Sequence, residues 1–139
     1  MGEQRDYVSE LRERAVAEPI ASFLGMQLEE LAPGYAKVSM KVLPSHQNFN
    51  GMTFGGIIMA LADQAFAYGS NSLAFPSVAT QFNLHFIAGA KIGEELVAEC
   101  RVMKSGRRVG ISEITVSTRE GKLIARATGT TIPTGEKGR

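Results

Sequence analysis

The sequence has a single cysteine, Cys100, in 139 residues, so no disulfide can close within the chain. Two histidines, His46 and His85, are its only imidazoles. A His/Cys zinc cage would need nearly every candidate ligand at once, and no metal is expected. No stretch approaches the roughly 18 apolar residues of a membrane-spanning helix, and the charged segment from Met1 to Arg14 lacks the apolar centre of a secretory signal. Asp6 stands where a myristoylation signal after Gly2 needs Ser or Thr. A cytoplasmic protein without membrane attachment is expected. An excess of either charge is missing as well. Fifteen Lys and Arg against fourteen Asp and Glu leave a net charge of +1, which excludes the basic field that draws nucleic acid.

What remains is the profile of one globular domain over 1–139, with 44% hydrophobic and 21% charged residues. A chain of this length buries roughly two-thirds of the surface it exposes when unfolded, enough for a core without staples. Tyr7, Val8, Leu11 and Ala15 recur at helical spacing, which predicts an amphipathic N-terminal helix within 1–19, ending before Pro19. Ile20 to Leu24 adds a short turn before Gly25. The period then changes to two: Ala36, Val38, Met40 and Val42 alternate with Lys37, Ser39 and Lys41, after a Pro33-Gly34 turn. Pro44 to Thr53 is polar and rich in Asn and Gly, hence a loop.

From Gly55 to Ser70 sixteen residues are almost all apolar or small, with Asp63 and Gln64 the strongly polar exceptions before the final Ser, which predicts a helix buried nearly all round. Period two returns with Val78, Thr80, Phe82, Leu84 and Phe86 on one face. Three further strands are predicted over Glu95 to Met103, Val109 to Arg119 and Leu123 to Ile132, with a frayed tail over 133–139. The order is that of an α+β fold, an antiparallel sheet with one long helix against it. Such a sheet leaves edges and a second face that pair readily with another subunit.

The chemistry concentrates between Asn48 and Asp63. Gly55 and Gly56 open the long helix and leave backbone N–H groups uncovered at its positive end, a place to hold an oxyanion. The same pair can also serve only to start a helix close to a strand. Asp63 is harder to assign to packing, because a carboxylate within an apolar helix is costly unless paired or used; the alternative is a salt bridge or an exposed gap in the helix face. Gly55 and Asp63 lie eight residues apart, about 12 Å along a helix axis, too far to serve one carbonyl group. If both act on the same acyl carbon, two antiparallel helices of a symmetric dimer must bring them together.

The run from Asn48 through Phe54-Gly55-Gly56 to Leu61-Ala62-Asp63, with the strand order around it, resembles the PaaI-like branch of hotdog-fold acyl-CoA thioesterases. The resemblance spans Phe23 to Ile132 and includes the Gly106-Arg107-Arg108 turn and the Gly121 to Ala125 hairpin. It implies a hotdog fold, an antiparallel sheet wrapped around one long central helix, a homodimer often assembled into a homotetramer, and hydrolysis of acyl-CoA without a cofactor, CoA being part of the substrate. By the same resemblance Asp63 is the catalytic carboxylate, the Gly55 N–H polarises the thioester carbonyl, and Asn48 helps place the water. Phe54 and Gly56 flank the substrate. Phe54 departs from the family's usual His-Gly-Gly, and phenylalanine cannot donate a hydrogen bond. Lys104, Gly106, Arg107 and Arg108 form a basic turn suited to the phosphates of a nucleotide tail.

Other polar groups read as structural. His46, two residues before Asn48, is read as a solvated loop side chain, with approach to the site as the alternative; His85 is a strand residue on the sheet's other face, and Cys100 a core residue without a charge to activate it. Ser72 lacks a nucleophile-elbow pattern. The alternative function is a hotdog protein that binds acyl-CoA without hydrolysing it, for which the Asp63 carboxylate would be superfluous. A hydratase on the same fold needs an Asp and His pair, and no histidine follows Asp63 within the helix.

Overall fold

Alternating apolar residues make the strands, and their register makes one sheet. The computed structural model describes residues 6–134; 1–5 and 135–139, which hold most of the expected frayed tail, lie outside the described residues. Six strands, β1 (Gln27–Ala32), β2 (Tyr35–Lys41), β3 (Ser77–Phe86), β4 (Glu95–Ser105), β5 (Gly110–Thr118) and β6 (Leu123–Pro133), pair antiparallel in the order β1-β2-β4-β5-β6-β3. Five of them fall within two residues of the expected spans. β1 is the strand that periodicity missed. Its sequence QLEELA places Glu29 beside Glu30, and a register shift between Leu28 and Glu30 breaks the alternation that would have marked it.

The helices are α1 (Tyr7–Ala15), α2 (Pro19–Leu24) and α3 (Gly55–Asn71). The Asp6 side chain accepts from the Ser9 N–H at 3.1 Å to start α1, and Gly25, at φ 71°, ends α2 in the left-handed conformation. The segment expected as a short turn after Pro19 is therefore a full helix. Leu11 sends α1 into a small core with Leu31, Ala36 and Tyr68, while the Arg12 guanidinium donates to the Leu31 carbonyl at 2.9 Å.

Helix α3 lies across β2, β4 and β5, with Leu61, Ala62, Ala65 and Phe66 removed from solvent. One stripe stays open, which corrects the expectation of a helix buried all round. Met59, Asp63 and Ala67 are exposed at spacings of four, with Gly56 and Ala60 half-covered beside them. The rest of the fold covers only three sides of this helix, and no element among the described residues covers the fourth. Strand β3 shows the same incompleteness. It is an edge strand whose regular alternation is interrupted by a register shift between Ala79 and Gln81. Phe82 and Leu84 pack on the core, with Phe82 stacked on Phe66 at 5.4 Å, but Val78 and Phe86 remain exposed.

Two glycines set how closely α3 approaches the sheet. A Cβ on Gly69 would stand 2.6 Å from the Cys100 sulfur, and one on Gly129 of β6 would run into the Phe66 ring. The Cys100 thiol is fully buried here, and burial pushes its pKa up to about 11, so it serves as core. Gly129→Ala is expected to lower the unfolding free energy by about 1–3 kcal/mol through overpacking against Phe66. Urea denaturation followed by circular dichroism measures this, and an unchanged midpoint would show that the ring has room to retreat.

Candidate active site

The segment before α3 folds back on itself because its own polar groups satisfy one another. A 3₁₀ turn over Pro44–His46 is fixed by His46, whose Nδ1 accepts from the Leu43 N–H at 3.0 Å. His46 is buried, which corrects its reading as a solvated loop side chain. A ring that caps its own turn has its polar edge turned inward. Beyond it, Gln47 and Thr53 form a bridge, and the Phe54 N–H donates to the His46 carbonyl at 2.9 Å. The tip of this hairpin-like loop is organised by Asn48, whose Oδ1 accepts from the N–H groups of Asn50 at 2.9 Å and Met52 at 3.1 Å. Thr53 Oγ1 donates to the Ala90 carbonyl at 2.6 Å and ties the loop to the segment after β3.

The loop delivers the start of α3 with nothing on it. Phe54 occupies the N-cap position and has no side-chain acceptor to offer, and the N–H groups of Gly55 and Gly56 find no acceptor among the described residues. A cap such as Ser or Asp would have consumed one of the first backbone donors. The glycines keep these donors accessible, because rings stand close on either side. A Cβ on Gly55 would come within 3.1 Å of Phe86, and one on Gly56 within 2.5 Å of Phe54. Phe54 thus lies along the helix start as an apolar wall, where the related motif has a hydrogen-bonding ring.

Two grooves flank this helix start. The first, about 390 Å³, holds Asn48 and Gly55 together with Met52, Ile58, Phe86 and Ile87. The second, about 410 Å³, holds Gly56 and Asp63 with Met59, Ala60 and Phe82. Asp63 has no hydrogen bond or ion pair among the described residues, and partial burial raises its pKa above the ordinary 3.8. It stands on the open stripe of α3 and not in the interior. Gly55 and Asp63 open on different grooves of the same chain, in line with their separation of about 12 Å.

The basic turn lies elsewhere again. Lys104 and Gly106 line a crevice with Ser70 and Ala74, at the far end of α3 and about 22 Å along its axis from Gly55. Arg107 and Arg108 beside them are exposed, and no ion pair engages these three cations among the described residues. One chain therefore unites Asn48 with Gly55 and Gly56 with Asp63, but holds the basic turn apart from both pairs.

The remaining polar candidates have structural work. Ser72 Oγ accepts from the Gly34 N–H at 2.8 Å and donates to the Gly69 carbonyl at 2.6 Å. His85 lies with Asn83, Glu113 and Arg126 on the sheet face opposite α3, as expected. Met52, Phe86 and Ile87 are groove residues that the sequence did not announce. The only signal was the apolar face of β3 running on to its exposed end at Phe86.

Residues 50–125 match the model of the thioesterase superfamily. Acyl-coenzyme A thioesterase PaaI of Escherichia coli is 30% identical over 105 residues, which cover 76% of this chain and 75% of that protein. Human acyl-coenzyme A thioesterase 13 is 30% identical over 102 residues, 71% and 73% of the two chains. The solved structure of Escherichia coli PaaI superposes with a TM-score of 0.89 over 94% of each chain at 26% identity.

The Asn48 geometry yields a test of its own. Asn48→Ala leaves two backbone N–H groups without an acceptor and is expected to cost about 1–2 kcal/mol of stability. Asn48→Asp keeps the acceptor and is expected to melt close to the parent. Differential scanning calorimetry on both variants decides, and equal losses in the two would contradict a role for Oδ1 in holding the loop.

Proposed function

This chain belongs to the PaaI-like hotdog branch of the thioesterase superfamily, and from that premise we propose that it hydrolyses acyl-CoA thioesters to the free acid and CoA. The observation that carries the mechanism is an unpaired Asp63 carboxylate on the open stripe of α3, with the free Gly55 N–H in a separate groove of the same chain. In a dimer whose two α3 helices meet antiparallel along that stripe, each Gly55 faces the other copy's Asp63. The thioester carbonyl oxygen accepts from the Gly55 N–H, at the positive end of the helix dipole, where negative charge develops in the transition state.

Asp63 of the second copy then takes a proton from water as the water oxygen bonds to the acyl carbon. The C–S bond breaks with its electron pair on sulfur, and the proton held by Asp63 passes to the departing thiolate. Direct attack by the carboxylate, which forms an anhydride as the C–S bond breaks and CoA leaves as its thiolate, followed by water cleaving the anhydride and supplying the proton that the thiolate takes, uses the same two groups and the same geometry. The apolar walls at Phe54, Phe86 and Met52 keep bulk water from the carbonyl and favour an apolar acyl or pantetheine segment. In the antiparallel arrangement the far end of one α3 comes beside the start of the other. Lys104, Arg107 and Arg108 of one copy thus flank the other copy's Asn48 and Gly55, where a nucleotide's phosphates can pair with them.

Partial burial that raises the Asp63 pKa has two consequences of opposite sign. The folded chain binds the Asp63 proton more tightly than the unfolded chain does, so ionising it costs stability once pH exceeds the unfolded value near 3.8. Asp63→Asn is therefore expected to unfold at the same or a higher temperature at neutral pH, while hydrolysis falls at least about a hundredfold. In the parent protein, activity is lost as pH falls through the raised Asp63 value, giving an acid limb above 3.8. Thiol release from a panel of acyl-CoAs across pH measures both, and parental turnover in folded Asp63→Asn would overturn the assignment.

A shared site also predicts complementation. A Gly55→Val chain, whose side chain meets Phe86 at the helix start, and an Asp63→Ala chain each form homodimers with no intact site. Co-refolding the two inactive chains is expected to restore up to about a quarter of parental activity, because half of random dimers are mixed and each holds one good site of two. Mixed dimers seen by native mass spectrometry without recovered hydrolysis would mean that the site lies within one chain.

A further inference from the structure

Between Lys41 and Lys91 lie 49 residues that carry one charged side chain, Asp63, so that the loop, α3 and β3 together present a nearly uncharged surface. Phe49, Met52, Phe54, Met59, Phe86 and Ile87 are all exposed on it. A soluble monomer rarely leaves so continuous an apolar surface open. Phe49 stands out farthest, with a relative exposure of 103%, yet it sits on a loop tip fixed by the Asn48 hydrogen bonds and the Gln47–Thr53 bridge. An anchored loop that holds a bare phenyl ring toward solvent has the form of an interface anchor, because little conformational freedom remains to be lost when it docks.

The matching concavity lies at the other end of the same stripe. A groove of about 480 Å³ opens between the second half of α3, the junction of α1 with α2, and the start of β3. Leu11, Ala67, Tyr68, Phe75 and Pro76 give it an apolar floor and walls. Its charged members are occupied: the Glu18 carboxylate accepts from Gln64 at 2.7 Å and from the Tyr68 hydroxyl at 2.6 Å, and the Arg14 guanidinium lies over the Phe75 ring. The groove is thus prepared for an uncharged ring, and the loop over 44–54 has no charged residue to offend it.

We propose that Phe49 of a second copy of this chain fills this groove, so that each protomer's active-site loop is held by the other protomer's N-terminal helices. The inference rests on the antiparallel dimer of the proposed function, and helix arithmetic connects the two. If Gly55 of one copy is level with Asp63 of the other, the two-fold axis passes near Met59, and positions facing each other along the stripe sum to 118. At 1.5 Å of rise per residue, Ala67 and Asn71 then lie about 6 and 12 Å past Gly55 of the second copy, beyond the start of its α3. The loop over 44–54 leads into that start and carries Phe49 at its tip, so the ring can reach the groove. Gly56, Ala60 and Ala67, small residues along the stripe, let the helices come close enough for the ring to enter. The docked ring would fix Asn48 and Gly55 relative to the other copy's Asp63, so the anchor is a positioning residue for the shared site and not a catalytic one.

The sequence contains no tryptophan, so Phe49→Trp introduces a single reporter. Its emission is expected to be blue-shifted in the dimer and to move to that of an exposed indole when Ala17→Asp places a charge in the groove. By sedimentation, Phe49→Ala and Ala17→Asp on the parental background are each expected to raise the dimer dissociation constant at least about a hundredfold. These two variants keep the inference testable if Phe49→Trp fails to fold. An exposed-indole emission in an intact dimer, or parental dimerisation of Phe49→Ala, overturns the docking. So does a blue shift that arises in the monomer, or only when an acyl-CoA is added, since the ring or the groove would then have another partner. Acyl-CoA hydrolysis by a Phe49→Trp dimer whose indole is exposed removes this inference and leaves the enzymatic reading standing. A buried indole in a Phe49→Trp dimer that hydrolyses no acyl-CoA does the reverse.

Discussion

A helix that rests on a sheet can be covered on three sides by its own chain, and the fate of its fourth side governs everything else in this protein. Helix α3 turns Leu61, Ala62, Ala65 and Phe66 into the core and leaves Gly56, Met59, Ala60, Asp63 and Ala67 facing outward. Water is a poor permanent neighbour for that stripe, since hydrophobic burial scales with the apolar area removed from it. Yet the stripe contains the sole charged side chain between Lys41 and Lys91. A surface built only to associate would gain by replacing Asp63 with something apolar, and under the proposed function it is the point where association and chemistry compete.

The start of the same helix shows a second compromise. Backbone donors at a helix N-terminus are normally consumed by a cap, which stabilises the helix by about 1 kcal/mol. Here Phe54 leaves them free and the glycines leave them uncovered. Stability is forgone where a developing oxyanion can be held. The loop in front compensates with hydrogen bonds accepted by His46 and Asn48 and donated by Thr53, which fix the helix start without touching the donors. Rigidity in the support and vacancy at the tip are complementary requirements of preorganised electrostatic stabilisation.

Distances along α3 are the reason the proposed site needs two chains. About 12 Å separates the donor from the carboxylate, and about 22 Å separates the donor from the basic turn at Lys104. An antiparallel partner inverts the helix, so that what is distant within a chain becomes adjacent between chains. In the proposed dimer one operation would cover the apolar stripe, bring a carboxylate toward the donors and carry a basic turn toward the nucleotide. In such an assembly fold stability and active-site assembly are parts of the same association equilibrium.

The strands of period two, the long apolar helix with its start at Gly55, the α+β class and the isolation of Asp63 could be read from the sequence, because each is a local pattern of polarity along the chain. The separation of Gly55 from Asp63, on which the proposal of two chains rests, was legible as well, since helical rise is fixed by backbone geometry and eight residues cannot be shortened. β1 was not legible, because adjacent glutamates and a bulge erase its alternation. Nor was the burial of His46, which depends on a turn folding its ring back onto the Leu43 N–H. Tertiary structure alone decided that Asp63 faces outward from α3, that Asn48 organises the loop through Oδ1, and that the basic turn sits at the far end of the helix. These are relations between elements distant in sequence or rotated about an axis. Local polarity fixes what each segment is; which of its faces remains uncovered depends on how the rest of the chain is wrapped around it.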